Sequence, residues 1–414
     1  MSRHFCASPG SPVIARALAS AAVAVTLGAC AAEPATQAKP LTDCVAPGGW
    51  YALDGSAPQP VPASTVLDAA ADGAVVLLGE RHDAQDHHRW QLHTLAALYA
   101  QRPDMVIGFE AFPRRVQPVL DRWVAGELDA AAFFEQTDWR EVWNFPSQYY
   151  LPLFEFARIH RIPMFAMNVE RGLTREIGAK GWDAVSEARK EGLSQPAAAS
   201  PAYLDALYEI YRQHPASATP KGQAASRDDP AFRRFVESQL TWDRAMAEAI
   251  VTQRAKARDA RQPLVVAIAG SGHLRNGFGI AHQLRDLGVT QIATLLPVDA
   301  PGDCATLVAG FADAVFALPP EHAVPPPRPR LGVQLTQKDK TVVIIKVMKD
   351  SLAASTDLRD GDAIVSIAGA PVSRLESVIS AVRGQPPGTW LPITLQRGGE
   401  TLERVIKFPP ATPK

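Results

Sequence analysis

Two short signatures of one form carry residue types suited to chemistry, Gly79-Glu80-Arg81-His82 and Gly270-Ser271-Gly272-His273. Each ends in a histidine. Each closes an apolar run, Ala74-Val75-Val76-Leu77-Leu78 in the first case and Leu264-Val265-Val266-Ala267-Ile268-Ala269 in the second. A third run, Met105-Val106-Ile107-Gly108-Phe109, delivers Glu110, and a fourth, Ile162 to Met167, delivers Asn168. Two imidazoles with carboxylates beside them can act as general acid and base, and neutral imidazoles can also hold a borderline cation such as zinc. Glu80, His82, Glu110 and His273 are therefore the candidate catalytic set, with His82 and His273 as candidate metal ligands. No His-x-x-x-His spacing is present, so each ligand would come from a separate strand. A hydrogen-bonded polar rim is the alternative reading of the same residues.

The elements that must position these groups can be read from the pattern between them. Short continuous apolar runs suit strands covered on both faces, and here they alternate with helical spacing. Trp90, Leu95, Leu98 and Tyr99 mark a helix over Asp86 to Tyr99; Val116, Val119, Leu120 and Trp123 mark another, and Tyr149 to His160 a third. Phe232, Phe235, Val236, Gln239, Trp242, Asp243, Met246 and Ile250 line a long amphipathic helix, and Gln291 to Leu296 supplies a last strand. This alternation predicts an α/β fold built on a mostly parallel, helix-covered sheet. Ligands of such sheets sit beyond the carboxyl ends of the strands, so both histidines are expected on one rim. Residues 186–229 break the rhythm, being rich in Ala, Ser, Pro and charge, and read equally well as a lid or as an exposed insertion.

Forty-two basic against 43 acidic residues leave a formal net charge of -1, which excludes the electrostatic footprint of a nucleic-acid partner. Arg3 and Arg16 precede an apolar stretch, Ala17 to Leu27, too short to span a bilayer. It ends in Leu27-Gly28-Ala29-Cys30, which resembles the bacterial lipobox. The resemblance implies a lipoprotein signal peptide over residues 1–29, acylation of Cys30, and anchoring in the cell envelope; an ordinary cleaved leader is the alternative. Ala31 in place of Asp favours the outer membrane, facing the periplasm. With Cys6 removed and Cys30 lipidated, Cys44 and Cys304 are left, and an envelope compartment permits them to pair. That disulfide would be worth roughly 5 kcal/mol in the chain-entropy picture, before strain. Two unpaired buried thiols are its alternative.

Residues 30–60 read as a tether and N-terminal segment, 61–317 as the α/β domain, 318–330 as a stiff proline-rich linker, and 331–414 as a second domain. In the last of these, Leu331-Gly332-Val333-Gln334-Leu335, Val342 to Val347, Ser351-Leu352-Ala353-Ala354 and Leu358-Arg359-Asp360-Gly361-Asp362-Ala363-Ile364 resemble a bacterial PDZ domain. The resemblance implies a small β-rich module that accepts a protein C-terminus or an unfolded peptide as an added strand. Backbone amides near Leu331, Gly332 and Val333 would hold the terminal carboxylate. Gly361 suits a left-handed turn that Asp362 can cap, and Ser373 to Val382 is the expected flanking helix.

A wider resemblance rests on Leu78-Gly79-Glu80-Arg81-His82-Asp83, Gly108-Phe109-Glu110-Ala111-Phe112, Gln239-Leu240-Thr241-Trp242-Asp243-Arg244-Ala245-Met246-Ala247 and Gly270-Ser271-Gly272-His273-Leu274. From about Val61 to Leu296 the chain resembles the ChaN-like lipoproteins, which group with the Tiki proteases and erythromycin esterases in a haem-binding-uptake superfamily. The ChaN branch implies haem binding in iron acquisition, with tyrosine ligation across a homodimer. Tyr149 and Tyr150 are the candidate iron ligands, with aromatic packing as their alternative. Arg81 and Arg275 are candidates for pairing a propionate or another anion. The Tiki and esterase branches imply instead a hydrolase built on the two histidines and the glutamates, with a divalent metal as a second candidate cofactor. A non-catalytic envelope scaffold is a third reading. Gly270-Ser271-Gly272-His273-Leu274-Arg275 lacks the third glycine of a dinucleotide fingerprint, and Ser271 lacks a nucleophile elbow.

Overall fold

Val75, Val76, Leu77 and Leu78 have no exposed surface, as a strand covered on both faces requires. The computed structural model describes residues 44–213, 226–256, 262–320 and 330–410. The signal peptide, the lipobox Cys30 and residues 321–329 of the proline-rich linker lie outside the described residues. The chain divides into two compact units, one formed up to Glu80 and by Gln91–Ala317, the other by Arg81–Trp90 together with the chain from Leu318 onward. Among the described residues no helix is long and apolar enough to cross a membrane.

The larger unit holds eight strands: β1 (Trp50–Ala52), β2 (Gln59–Val61), β3 (Val75–Glu80), β4 (Met105–Pro113), β5 (Met164–Asn168), β6 (Leu264–Gly270), β7 (Ile292–Asp299) and β8 (Ala314–Leu318). Its helices are α1 (Ala63–Asp72), α2 (Gln85–Gln101) from Gln91 on, α3 (Gln117–Val124), α4 (Ala130–Gln136), α5 (Trp139–Val142), α6 (Ser147–Ile159), α7 (Arg171–Lys180), α8 (Pro201–Gln213), α9 (Pro230–Ala255) and α10 (Ile280–Asp286). The sheet order is β2-β1-β8-β7-β3-β6-β4-β5. β7, β3, β6, β4 and β5 run parallel, while β1 pairs antiparallel with both β2 and β8. The expected parallel, helix-covered sheet is therefore present, extended at one side by strands of three to five residues that carry too little periodicity to be read.

Register fixes what reaches the rim. Glu80 of β3 stands beside Gly270 of β6, and β4 lies on the other side of β6. The carboxyl ends of β3, β6, β4 and β5 thus line up in that order. Gly79 makes this approach tight, since a Cβ there would run into Leu296 Cδ2 of β7 and Ser271 Oγ. In the same unit, in the connection that follows β7, Cys304 is joined to Cys44 in a disulfide with their Cα atoms 5.5 Å apart.

The smaller unit is an antiparallel sheet of β9 (Val333–Lys338), β10 (Thr341–Val347), β11 (Ala363–Ile367), β12 (Ala370–Pro371), β13 (Trp390–Arg397) and β14 (Glu400–Lys407), with α11 (Leu352–Ser355) and α12 (Leu375–Arg383). Its order is β14-β13-β11-β10-β9, with β12 on β11. Val342, Ile344, Ile364, Leu391, Leu395 and Ile406 form the core under α12 residues Val378 and Val382. Gly361 adopts φ +91°, and Asp362 Oδ2 accepts the Arg359 amide at 2.8 Å, the expected capped turn. Asp362 is fully buried and tied to Arg397 through contacts of 2.7 and 2.8 Å. Stripping one partner from a buried ion pair strands the other charge. Arg397→Ala is expected to destabilise this unit, with Arg397→Lys recovering part of the loss; chemical denaturation monitored in this unit checks it.

Candidate active site at the carboxyl-end rim

His273 follows β6 in a short turn of 3-10 helix, Ser271–His273. Its Nδ1 lies 2.6 Å from Asp243 Oδ1 of α9, and its Nε2 faces Glu110 Oε1 of β4 at 3.7 Å. Asp243 has no exposed surface. Its second oxygen accepts a hydrogen bond of 2.8 Å from the hydroxyl of Tyr203 on α8. Glu110 is also buried; its Oε2 accepts the Gly270 amide at 2.7 Å, and Asn168 Nδ2 donates to its backbone carbonyl at 3.0 Å. Glu110 Oε1 has no hydrogen-bond partner among the described residues. Tyr203, Asp243, His273 and Glu110 thus form one line of polar contacts that ends on an unsatisfied carboxylate oxygen.

Local structure explains the geometry. Asp229 caps α9 by accepting the Ala231 amide at 2.8 Å, and Pro230 occupies the first turn. Val236, Leu240, Asp243, Ala247 and Ile250 then recur at spacings of four and three, so Asp243 takes a place on the buried stripe. Beyond His273 the chain turns through Asn276 and Gly277, both left-handed, to Gly279 at φ +56°. A side chain at Gly279 would collide with the His273 carbonyl and crowd Asp243 Oδ1. Trp242 lays its ring edge to face against His273 at 5.0 Å, and Phe278 stacks on Tyr203 at 4.9 Å.

The second carboxylate is held separately. Glu80 Oε1 accepts the Tyr150 hydroxyl at 2.5 Å, and Glu80 Oε2 accepts Gln91 Nε2 at 3.0 Å. Tyr150 is packed among Trp139, Trp143 and Phe154. Burial, reinforced by the Glu80 charge, pushes its phenol far above the ordinary range. A phenolate at Tyr150 is thereby disfavoured in this packing, and the aromatic-packing alternative describes its surroundings. Tyr149, in the first turn of α6, is half-buried.

Burial alone would favour the neutral ring at His273, but the charges of Asp243 and then Glu110 outweigh it and raise the imidazole to about 9. The ring is therefore protonated at neutral pH. With Nδ1 on Asp243, its Nε2 is the ring nitrogen that faces Glu110. Among the described residues no group of three or more His, Cys, Asp or Glu side chains is arranged to hold a metal ion.

Glu80, Glu110, Asn168 and His273 are thus brought to one rim. His82 belongs to the segment Arg81–Trp90, where its carbonyl accepts from His88 Nε2 at 3.2 Å and the Arg81 amide donates to His87 Nδ1 at 3.0 Å. His87 and His88 are buried there and serve that turn. Arg81 is exposed and ion-paired with Asp83 at 3.5 Å. Arg275 is exposed and has no side-chain partner among the described residues. The segment after Ser186 is tied down where it is described: Gln283 exchanges two bonds of 2.9 Å with the Ala197 backbone, and Ser194 bonds Glu248 and Arg244. It delivers Tyr203, so in its described part it is a packed component of the site. Asp243, Tyr203, Gln91 and Trp242 were not singled out as site residues by sequence; the detectable signal was an acid on the apolar stripe of α9.

Residues 66–284 match the family model for haem-binding uptake, Tiki superfamily, ChaN, and residues 329–407 match that of the PDZ domain. Among solved structures the chain is similar to ChaN of Campylobacter jejuni, described with cofacial haem binding, at 18% identity and a TM-score of 0.48, covering 65% of this chain and 96% of that one. A serine endoprotease from Yersinia pestis is similar over 20% of this chain and 30% of its own, at 24% identity and a TM-score of 0.18. A probable CtpA-like serine protease of Staphylococcus haemolyticus is 33% identical over 79 residues, 19% of this chain and 16% of that protein. The chain therefore spans well under two thirds of that curated relative.

Two outcomes follow from the geometry. Because the folded His273 value lies above the ordinary 6.5, its contribution to stability is complete below about pH 6.5 and is lost as pH rises through about 9. Asp243→Asn should return the ring to 6.5 or lower and flatten that part of the stability profile, read by titrating the His273 ring by NMR; an unchanged ring titration contradicts the assignment. Gly279→Ala should cost more than about 1 kcal/mol, since an L residue is strained there and meets the His273 carbonyl; thermal unfolding against wild type measures it.

Proposed function

We infer that this chain, which belongs to the ChaN family of haem-binding uptake proteins in the Tiki superfamily, binds haem at the carboxyl-end rim of its parallel sheet. The family match over residues 66–284 carries the reading, because it contains every side chain placed at that rim. The donors fit the group in a particular way. Arg275 offers an exposed guanidinium without an acidic partner among the described residues, and a planar fork suits a propionate. Tyr149 is the candidate phenol for an iron, since Tyr150 is buried and donates its hydroxyl hydrogen bond to Glu80. When bound, haem would supply an iron that an oxygen donor can hold and two carboxylates that cations can pair. The His273 imidazolium would supply positive charge beside that rim.

The same reading makes the protein a lipoprotein acylated at Cys30, held on the periplasmic face of the outer membrane and engaged in iron acquisition, with two copies able to share haem. The PDZ domain adds a protein C-terminus as a strand on β9. Three observations support this: β9 is the terminal strand of its sheet, α12 lies beside it with the Leu375 amide on Gln337, and the Leu331 and Gly332 amides have no backbone partner among the described residues.

A second reading, hydrolysis, is favoured by one observation, the unsatisfied Glu110 Oε1 opposite His273 Nε2. There Glu110 would take a proton from water and the His273 imidazolium would donate one to the leaving group, with Asp243 orienting the ring. Loss of ester or peptide cleavage in His273→Ala, with wild type active, would favour it.

Titrating the purified protein with haemin is expected to give a saturable shift of the Soret band. Arg275→Ala should weaken binding roughly tenfold, as loss of one charge-assisted contact does, and Tyr149→Phe should change the band position while Tyr150→Phe leaves it in place. Absence of a shifted, saturable band in wild type overturns the haem reading.

A further inference from the structure

Cys304 lies in the connection between β7 and β8, residues 300–313, and the disulfide ties that connection to the start of the described chain. The connection has little regular structure of its own. It is held by the Val45 amide on the Pro301 carbonyl at 3.3 Å, by buried Leu307, and by the Ala309 amide on the Gly55 carbonyl at 3.2 Å. All of these ties gather around the segment that Cys44 begins. At its other end the Phe311 carbonyl accepts the Asn276 amide at 2.8 Å.

That last bond reaches the site. Asn276 stands at φ +62° and Gly277 at φ +64°, and a left-handed non-glycine residue holds its conformation only where its surroundings impose it. Two contacts impose it here, Phe311 on the Asn276 amide and Arg285 Nη1 on the Gly277 carbonyl at 3.1 Å. The turn carries Arg275 on one side, and on the other it leads to Phe278 against Tyr203 and to Gly279 beneath His273 and Asp243. Both cysteines are partly exposed, so a reductant can reach the bond.

We propose that the Cys44–Cys304 disulfide is a redox control on the rim: its reduction by a dithiol loosens the β7–β8 connection, releases the Asn276 turn, and weakens ligand binding beside Arg275 and His273. The dithiol supplies two electrons and two protons; the sulfur–sulfur bond breaks, two thiols form, and the dithiol closes to its own disulfide. Coupling of this kind is reciprocal, so an occupied rim makes the disulfide harder to reduce by the same factor. The ligand half of this proposal rests on the haem reading; the structural half does not.

The test uses the full chain, oxidised or reduced with dithiothreitol, alkylated and freed of reagent, with thiols counted. Hydrogen exchange followed by mass spectrometry should show residues 274–279 exchanging about tenfold faster after reduction, while β3 amides stay protected. Unchanged exchange in that turn with both thiols alkylated overturns the proposal. So does equal loss of protection in β3, which would make the disulfide a brace of the whole unit and not a control on the turn. In a second arm, haemin should bind the alkylated protein about tenfold more weakly than the oxidised one; equal affinities overturn the proposal. If neither form binds haemin, the haem reading fails and the exchange result alone decides the redox coupling.

Discussion

Asp243 is a carboxylate with no exposed surface on the inward stripe of a 26-residue helix, and burying such a charge costs several kcal/mol unless it is paired and hydrogen-bonded. His273 at 2.6 Å and the Tyr203 hydroxyl at 2.8 Å supply both requirements. Much of the larger unit is arranged around meeting them. The β6 strand must end where it does to present His273, the chain after it must turn through left-handed residues to bring Gly279 underneath, and the segment after Ser186 must be pinned to α10 so that Tyr203 arrives. In return, Asp243 keeps the imidazole charged and fixes its orientation toward Glu110.

That electrostatic arrangement separates the two glutamates. Glu80 is saturated by Tyr150 and Gln91, whereas Glu110 keeps one oxygen unsatisfied opposite the His273 ring. A buried acceptor of this sort is costly unless a partner visits it, and the hydrolytic reading rests on that oxygen. Tyr150 contributes by holding Glu80 through its hydroxyl.

The strands that build the rim were legible in the sequence because each is an uninterrupted apolar run, and their ends named Glu80, Glu110, Asn168 and His273 directly. The PDZ turn was legible for a similar reason, Gly361 and Asp362 having few other uses in that order. The role of Asp243 was hidden because an acid in a long amphipathic helix is usually solvated; only its place between Leu240 and Ala247 on the apolar stripe marks it. Tyr203 was hidden by the irregular segment around it, and its partner is far away in sequence. Which nitrogen of His273 is engaged by Asp243 was hidden as well, because spacing says nothing of ring orientation.

The account stands on the claim that the rim carrying His273 receives the ligand. Following the His273 ring resonances by NMR during a haemin titration tests this most directly. The account predicts a saturable change at His273 that tracks the Soret shift; a Soret shift that saturates while the His273 ring stays unperturbed would contradict it.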